Sequence, residues 1–281
     1  MGGRLENLGS WINLVGEFSI QLIIIHDIQD DSTGPELRAL LYEENCNRIE
    51  LIEGYFGSPG LARNAGLKLA KGNWVAFWDS DDVPQVQQFI SMLNSFSDDD
   101  VECIIGGYST VNELNGEVQE RILPLKFSDA IALNPGIWRF AFKRESFGSL
   151  KFSNLLMAED QLFLAQYRIF DKKLSIYNRS VYHYYFGGEF HLTQQKKALE
   201  DFFYSIEGTF NTLGETSDSN FRFVSILLCR QIASCFKHGK QLVRLKIMRV
   251  ILLGFYRLPK HLYSEVFKAA HFVYKVKQES K

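Results

Sequence analysis

Between residues 18 and 79, short apolar runs alternate with stretches of helical period, and this alternation limits the folds open to the chain more than any other feature. FSIQLIIIHD (18–27) reads as a buried strand ending in a polar residue, and IELIEGY (49–55) as a second strand. PELRALLYEEN between them has helical spacing, as does LARNAGLKLAKG (61–72), which closes on Gly72. NWVAFWD (73–79) is strand-like again. Strand, helix, strand, helix, strand is the rhythm of a layered α/β domain with a parallel sheet. Such sheets bind ligands outside the carboxyl ends of their strands, so Asp27 and Asp79 are expected to converge on one crevice.

Further along, VQQFISMLNSF is helical, and VECIIGGYSTVNE reads as a strand leading into a hairpin at Asn115 and Gly116. WRFAFKRESF (138–147) and MAEDQLFLAQYRIF (157–170) are expected as helices, and KLSIYNRSVYHYY as a strand pair or an extended segment. From about residue 194 the pattern is mainly helical, broken by the polar LGETSDSN (213–220). The predicted organisation is an α/β domain over 1–195, in two halves of about 1–110 and 111–195, followed by a helical basic region over 196–281.

The formal net charge of −2 conceals an asymmetry. Residues 221–281 hold thirteen Lys/Arg and two Asp/Glu, a net of +11, which leaves −13 for residues 1–220. No apolar run is long and uncharged enough for a transmembrane helix, and the opening MGGRLENLGSWINLV lacks the pattern of a secretory signal. Cys46, Cys103, Cys229 and Cys235 show neither metal-type nor disulfide-type spacing and read as reduced, cytosolic thiols.

The stretch AFWDSDDVP (76–84) crowds Asp79, Asp81 and Asp82 against the end of an apolar run. Asp79 and Asp81 are alternate residues where the chain leaves the sheet, so both can turn toward one point. Hard oxygen ligands of this kind suit magnesium or manganese, which in turn neutralise a diphosphate. The plainer reading is an acidic turn, with Asp82 as the cap of the following helix.

GSPGLARNAGLKLAKGNWVAFWDSDD resembles the core signature of family 2 glycosyltransferases of the GT-A fold, a G-x-x-x-ARN-x-G-x-x-x-A-x-G helix before a strand ending in D-x-D-D. MAEDQLF (157–163) is similar to the family's later E-D-x-x-F element, and IIIHDIQDDST to its V-D-D-G-S-x-D turn. WRFAFKRE and YHYYFGGEFHLT resemble its acceptor-side region more loosely. The resemblance covers roughly residues 5–195. It implies an α/β, Rossmann-like nucleotide-diphospho-sugar transferase domain and an inverting transfer to a glycan or lipid-linked acceptor, in surface polysaccharide synthesis. It further implies that Asp27 meets the nucleotide base, Arg63 approaches the nucleotide, and Asp79 contacts the ribose or the metal. By the same match Asp81 ligates manganese or magnesium, Asp160 is the general base, and Glu159 and Trp138 lie on the substrate side.

Two departures stand against the pattern. The chain starts after the family's first apolar strand and its P-x-Y/F-N turn, so a sheet lacking that strand is expected unless another segment fills the gap or the true start lies upstream. His26 replaces the first Asp of the V-D-D turn. These departures motivate an alternative, a catalytically impaired nucleotide-sugar binder. A D-x-D phosphotransferase of the haloacid-dehalogenase type is a further rival, although it leaves the ARN helix unexplained.

Each candidate also has a structural reading. Arg63 could simply pair with an acid, Glu159 and Asp160 could be a first-turn pair favoured by the helix dipole, and Asn64 and Gly66 read as structural. His183 and His191 are candidate further metal ligands or packing residues, and Trp138 is a sugar platform or a core residue. The basic segment 221–281 suits an anionic membrane surface, which would bring a cytoplasmic enzyme to the inner face of the membrane; its alternative is a helical subdomain with a solvated charged face. No basic-aromatic motif points to nucleic acid.

Overall fold

The computed structural model describes residues 8–9, 11–12, 15, 18–28, 33–44, 49–96, 100–122, 128–187, 196–214, 216–238 and 241–279. Its contacts divide the chain into two units. The first takes residues 1–123, 137–154 and 174–191, the second residues 124–136, 155–173 and 192–281.

In the first unit, β1 (Leu22–Asp27) pairs in parallel with β2 (Ile49–Gly54), Leu22 opposite Ile49 and Asp27 opposite Gly54. The LIII run of β1 is apolar because both of its faces are covered. Leu22 and Ile24 pack with Leu8, Ile12 and Leu37. On the other face, Ile23 and Ile25 lie against Gly66 of the helix Pro59–Leu69. That helix starts on Ser58, whose Oγ accepts the Leu61 N–H at 3.3 Å, with Pro59 in its first turn.

The remaining strands form a second sheet in the order β3-β7-β5-β8-β4, with β6 on β5. They are β3 (Trp74–Val75), β4 (Val83–Pro84), β5 (Cys103–Asn112), β6 (Val118–Arg121), β7 (Phe140–Lys143) and β8 (Leu174–Phe186). The sheet is mixed: β5 and β8 are parallel, and the other pairs are antiparallel. The expected single parallel sheet is therefore two, and among the described residues no strand joins them. The hairpin at Asn115 and Gly116 forms as expected between β5 and β6, Gly116 supplying the positive φ of 70° that the turn needs.

Residues 138–147 are not a helix. They form a short 3-10 turn, β7, and a second 3-10 turn. β7 lies between β3 and β5, so Phe140, Ala141 and Phe142 are all fully buried. Burial on both faces erases the period that separates strand from helix, and the aromatic content then decides for strand.

The second unit is helical. It contains Ser128–Leu133, Glu159–Tyr167, Lys196–Thr212, Asp218–His238, Gln241–Arg257 and Tyr263–Glu279. Asp218–His238 is its core, with Phe223, Val224, Ile226, Leu227 and Leu228 fully buried. Arg222 anchors that helix to Asp129 through two hydrogen bonds, at 3.1 and 2.9 Å. Cys103, Cys229 and Cys235 are buried free thiols, and Cys46 lies outside the described residues.

Candidate functional site

In the first unit, the helix Pro59–Leu69 and β8 together hold the acidic turn. Gly60 approaches a neighbouring segment so closely that a Cβ there would stand 2.1 Å from the Ser153 carbonyl oxygen. One turn on, Asn64 clasps Phe152 reciprocally: its Nδ2 donates to the Phe152 carbonyl at 2.8 Å and its Oδ1 accepts the Phe152 N–H at 2.9 Å. The structural reading of Asn64 holds, and its partner is this distant segment rather than a neighbouring strand.

Arg63 extends from the same helix to Asp79, Nη2 to Oδ1 at 2.8 Å, with its guanidinium 5.5 Å above the Phe152 ring. The pair is largely shielded, the Arg63 side chain being 14% exposed. Arg63 does pair with an acid, and that acid belongs to the turn itself.

β8 supplies the other half of the frame. Its Tyr182 and His183 pair with β4 immediately after the acidic turn. The Asp79 N–H donates to Tyr182 Oη at 3.1 Å, and Asp82 Oδ1 accepts the Tyr185 N–H at 2.8 Å. Carboxylate oxygens of Asp79, Asp81 and Asp82 all lie within 4.8 Å of one another. Asp81 is exposed, Asp79 half-buried and Asp82 only 2% exposed. Burial, aided by Asp79 and Asp81, pushes the Asp82 carboxyl up to about 8 against the hydrogen bonds from Tyr185 and Tyr182. Burial and the same three carboxylates raise Tyr184 to about 12. Three converging carboxylate oxygen donors with an exposed member fit a divalent cation of the magnesium or manganese kind.

Asp82 is not the cap of the next helix. Val86–Ser95 is preceded by Gln85 and has no side-chain cap, while Asp82 turns inward to β8. The D-x-D-D spacing shows three carboxylates but not that the last is buried; the signal for that is the Tyr-rich YHYY segment, whose partner cannot be read from the chain.

Trp138 is a core residue, 8% exposed. Its ring stacks on Tyr182 at 4.5 Å and Tyr184 at 5.6 Å and meets Tyr108 edge-on at 5.0 Å, so its aromatic face is already occupied. His183 does not join the acidic cluster. Strand alternation sends it to the face opposite Tyr182 and Tyr184, and burial lowers its pKa. His191 lies outside the described residues.

Asp27 ends β1, and its Oδ2 accepts the Gly57 N–H at 2.7 Å. Gly57 has φ 69°, so the carboxylate fixes a left-handed turn directly ahead of Ser58 and the helix it caps. His26 is buried beside Glu53, Nδ1 to Oε1 at 3.1 Å, and Arg38 reaches the same carboxylate oxygen at 2.6 Å.

Glu159 and Asp160 belong to the second unit, in the first turn of Glu159–Tyr167. Glu159 is buried at 6% exposure; Asp160 is half-buried, and its Oδ1 accepts the Gln161 N–H at 2.7 Å. The residue before them, Ala158, has φ 63° and ψ 18°, a left-handed conformation costing roughly 1 kcal/mol for a residue with a Cβ. The helix Lys196–Thr212 secures this bend: Asp201 accepts the Leu156 N–H, and Ser205 Oγ donates to the Ala158 carbonyl at 3.2 Å. Strain held in place by packing directly ahead of two acids is a mark of functional positions.

Comparison with known proteins bears on the whole arrangement. The family model described as "Glycosyl transferase family 2" matches residues 6–197. The glycosyltransferase GlyG of Streptococcus pneumoniae is 23% identical over 233 residues, covering 74% of this chain and 77% of that protein. The poly(ribitol-phosphate) beta-N-acetylglucosaminyltransferase TarP of Staphylococcus aureus is 24% identical, over 69% of this chain and 62% of its own length. Among solved structures, a segment of Staphylococcus aureus TarS in complex with UDP-GlcNAc superposes with a TM-score of 0.64 at 16% identity, covering 93% of this chain and 83% of that one. The likeness shows a shared GT-A fold with a helical C-terminal region.

Proposed function

The chain belongs to glycosyl transferase family 2, and from that premise we propose that it moves a sugar from a nucleoside-diphosphate donor to a hydroxyl of a saccharide or lipid-linked acceptor, with inversion at the anomeric carbon. The observation that carries the reading is the convergence of the Asp79, Asp81 and Asp82 carboxylates. The name of TarP, a poly(ribitol-phosphate) N-acetylglucosaminyltransferase, and that of the TarS complex with UDP-GlcNAc support a nucleotide-sugar donor and a polymeric acceptor. The family match ends at residue 197, which supports a catalytic region over 1–195 and a separate role for 196–281.

In this reading Asp81 and Asp79 hold magnesium or manganese, which would supply Lewis-acid stabilisation of the leaving diphosphate. Arg63 keeps Asp79 oriented through its shielded ion pair and lends positive charge toward the nucleotide. Asp82 fastens the turn to β8 by accepting the Tyr185 N–H. Asp27 accepts the Gly57 N–H and so shapes the turn; a carboxylate accepts several hydrogen bonds, and we assign it the nucleotide base as well. Asp160 is the proposed base that takes the proton of the acceptor hydroxyl, and Glu159 orders the same helical turn. A lipid-linked acceptor would place a cytoplasmic enzyme at the inner face of the membrane, with the basic region 221–281 against anionic lipid. Among the described residues no helix is long and apolar enough to cross a membrane.

Calorimetric titration with UDP, GDP and dTDP, with and without manganese, tests the donor half. Metal-dependent binding of one nucleotide is expected, and Asp81→Ala should abolish it. Asp160→Asn should leave that binding intact and lower transfer by about 10²–10⁴-fold. Absence of any nucleotide binding sinks the reading, while nucleotide binding without transfer, whatever acceptor is offered, points instead to an impaired nucleotide-sugar binder.

A further inference from the structure

The four C-terminal helices do not share one environment. Gln241–Arg257 carries Arg244, Lys246, Arg249 and Arg257 and no acidic residue. Ile247 and Gly254 mark its packed side, where Gly254 sits so close to Phe210 that a Cβ would lie 2.5 Å from the ring. At about 100° per residue, Met248, Leu252, Leu245 and Tyr256 fall within an arc of roughly 80° on the opposite side. They are 45%, 66%, 61% and 88% exposed. Phe267 of the following helix, 64% exposed and stacked on Phe255 at 5.9 Å, widens the apolar area.

Cations border this stripe. Arg244 flanks one edge and Arg249 the other, both exposed, while Lys246 and Arg257 stand farther round, Lys246 over the Phe203 ring at 5.8 Å and Arg257 3.9 Å from Glu207. A helix face meant only for water carries its charges opposite the core, with the apolar groups inside. Here an exposed apolar stripe stands in water between Arg244 and Arg249.

We propose that the outer face of Gln241–Arg257 seats on an anionic lipid surface, with Leu245, Met248, Leu252 and Tyr256 entering the boundary between headgroups and acyl chains and the flanking Arg244 and Arg249 side chains meeting lipid phosphates. Charge complementarity selects this occupant, since residues 221–281 have a net charge of +11. A second copy fits worse: two such helices face to face would set the flanking cations of one against those of the other with no acid on either helix. The proposal rests on the reading of a membrane-side acceptor given above. It relocates the contact from the basic region at large to one face, because the neighbouring Asp218–His238 is the core of its unit.

The test is flotation of the full chain with vesicles of phosphatidylcholine plus phosphatidylglycerol, and with phosphatidylcholine alone. The chain should float with the first and not the second, and added salt should release it. The double substitution Leu245→Ser, Leu252→Ser removes exposed side chains, so its melting curve should match that of the parent. Its vesicle affinity should fall at least about tenfold for each leucine. No flotation of the parent, or equal flotation of the variant, overturns the proposal. So would a sedimentation result in which the parent is a dimer that the double variant dissolves, since that gives the face to a second copy. Nucleotide titration of the same preparations separates the two readings. Loss of vesicle binding with manganese-dependent nucleotide binding intact sinks the surface alone, and the reverse sinks the donor assignment alone.

Discussion

The helices Asp218–His238 and Gln241–Arg257 are written in nearly the same alphabet, Leu, Ile, Val and Phe with scattered Arg and Lys, and they meet opposite fates. In the first, Phe221, Phe223, Val224, Ile226, Leu227 and Leu228 are all buried. In the second, Ile247 is fully buried while Leu245, Met248, Leu252, Leu253 and Tyr256 are exposed. The polar residues separate the two. Asp218–His238 intersperses its apolar residues with Asn220 and Gln231, which find partners indoors: Asn220 Oδ1 accepts the Phe170 N–H at 3.3 Å, and Gln231 Nε2 donates to Ser205 Oγ at 3.0 Å. Asp218–His238 meets its Arg222 with Asp129, whereas Gln241–Arg257 places full charges at 244, 246 and 249 on a helix without an acid, and charges cannot enter a core without counterions. What a buried helix can tolerate between its leucines, more than the leucines themselves, decides which of two such segments goes inside.

The contrast can be broken in graded steps. Leu227→Ala, in the interior helix, should lower the free energy of unfolding by about 3 kcal/mol, through lost transfer energy and the cavity left behind. Urea denaturation followed by circular dichroism reads it directly, and a loss below that of an exposed leucine would mean that this helix is not the core. Gly254→Ala probes the one tightly packed side of the outer helix. Its Cβ would meet the Phe210 ring at 2.5 Å, so a loss of about 1–3 kcal/mol is expected from overpacking, set against a small gain in helix propensity. A stabilised variant would show that the two helices stand farther apart. Leu252→Ser should change stability by less than about 0.5 kcal/mol, because its side chain is already in water. A large loss there would place Leu252 in a buried contact and remove the surface argued for this helix.

Legibility in the sequence followed the same division between local and distant causes. The β1, helix, β2, helix order was readable because period and turn residues are local properties, and so was the hairpin at Gly116. The D-x-D-D turn and the helix before it were readable as a unit, and Arg63 and Asp79 prove to be joined. Three features were not. β7 reads as helix because both of its faces are covered. Asp82 reads as a cap because its true partner, the Tyr185 backbone, is 103 residues away. Trp138 reads equally as a sugar platform or a core residue, because nothing local announces that Tyr182 and Tyr184 lie against it. In each case the deciding neighbour arrives from another strand.

Those long spans set an order of events during synthesis. Asn64 waits 88 residues for Phe152, and Asp79 and Asp82 wait 103 residues for Tyr182 and Tyr185. At a translation rate of roughly 5–20 residues per second, the acidic turn exists for several seconds before β8 can reach it. During that interval Asp82 has no backbone donor to justify its burial, so the turn must stay in water and the helix Pro59–Leu69 must stay unclasped. The half of the chain that is written first is therefore completed late, and its site comes into being when β8 docks.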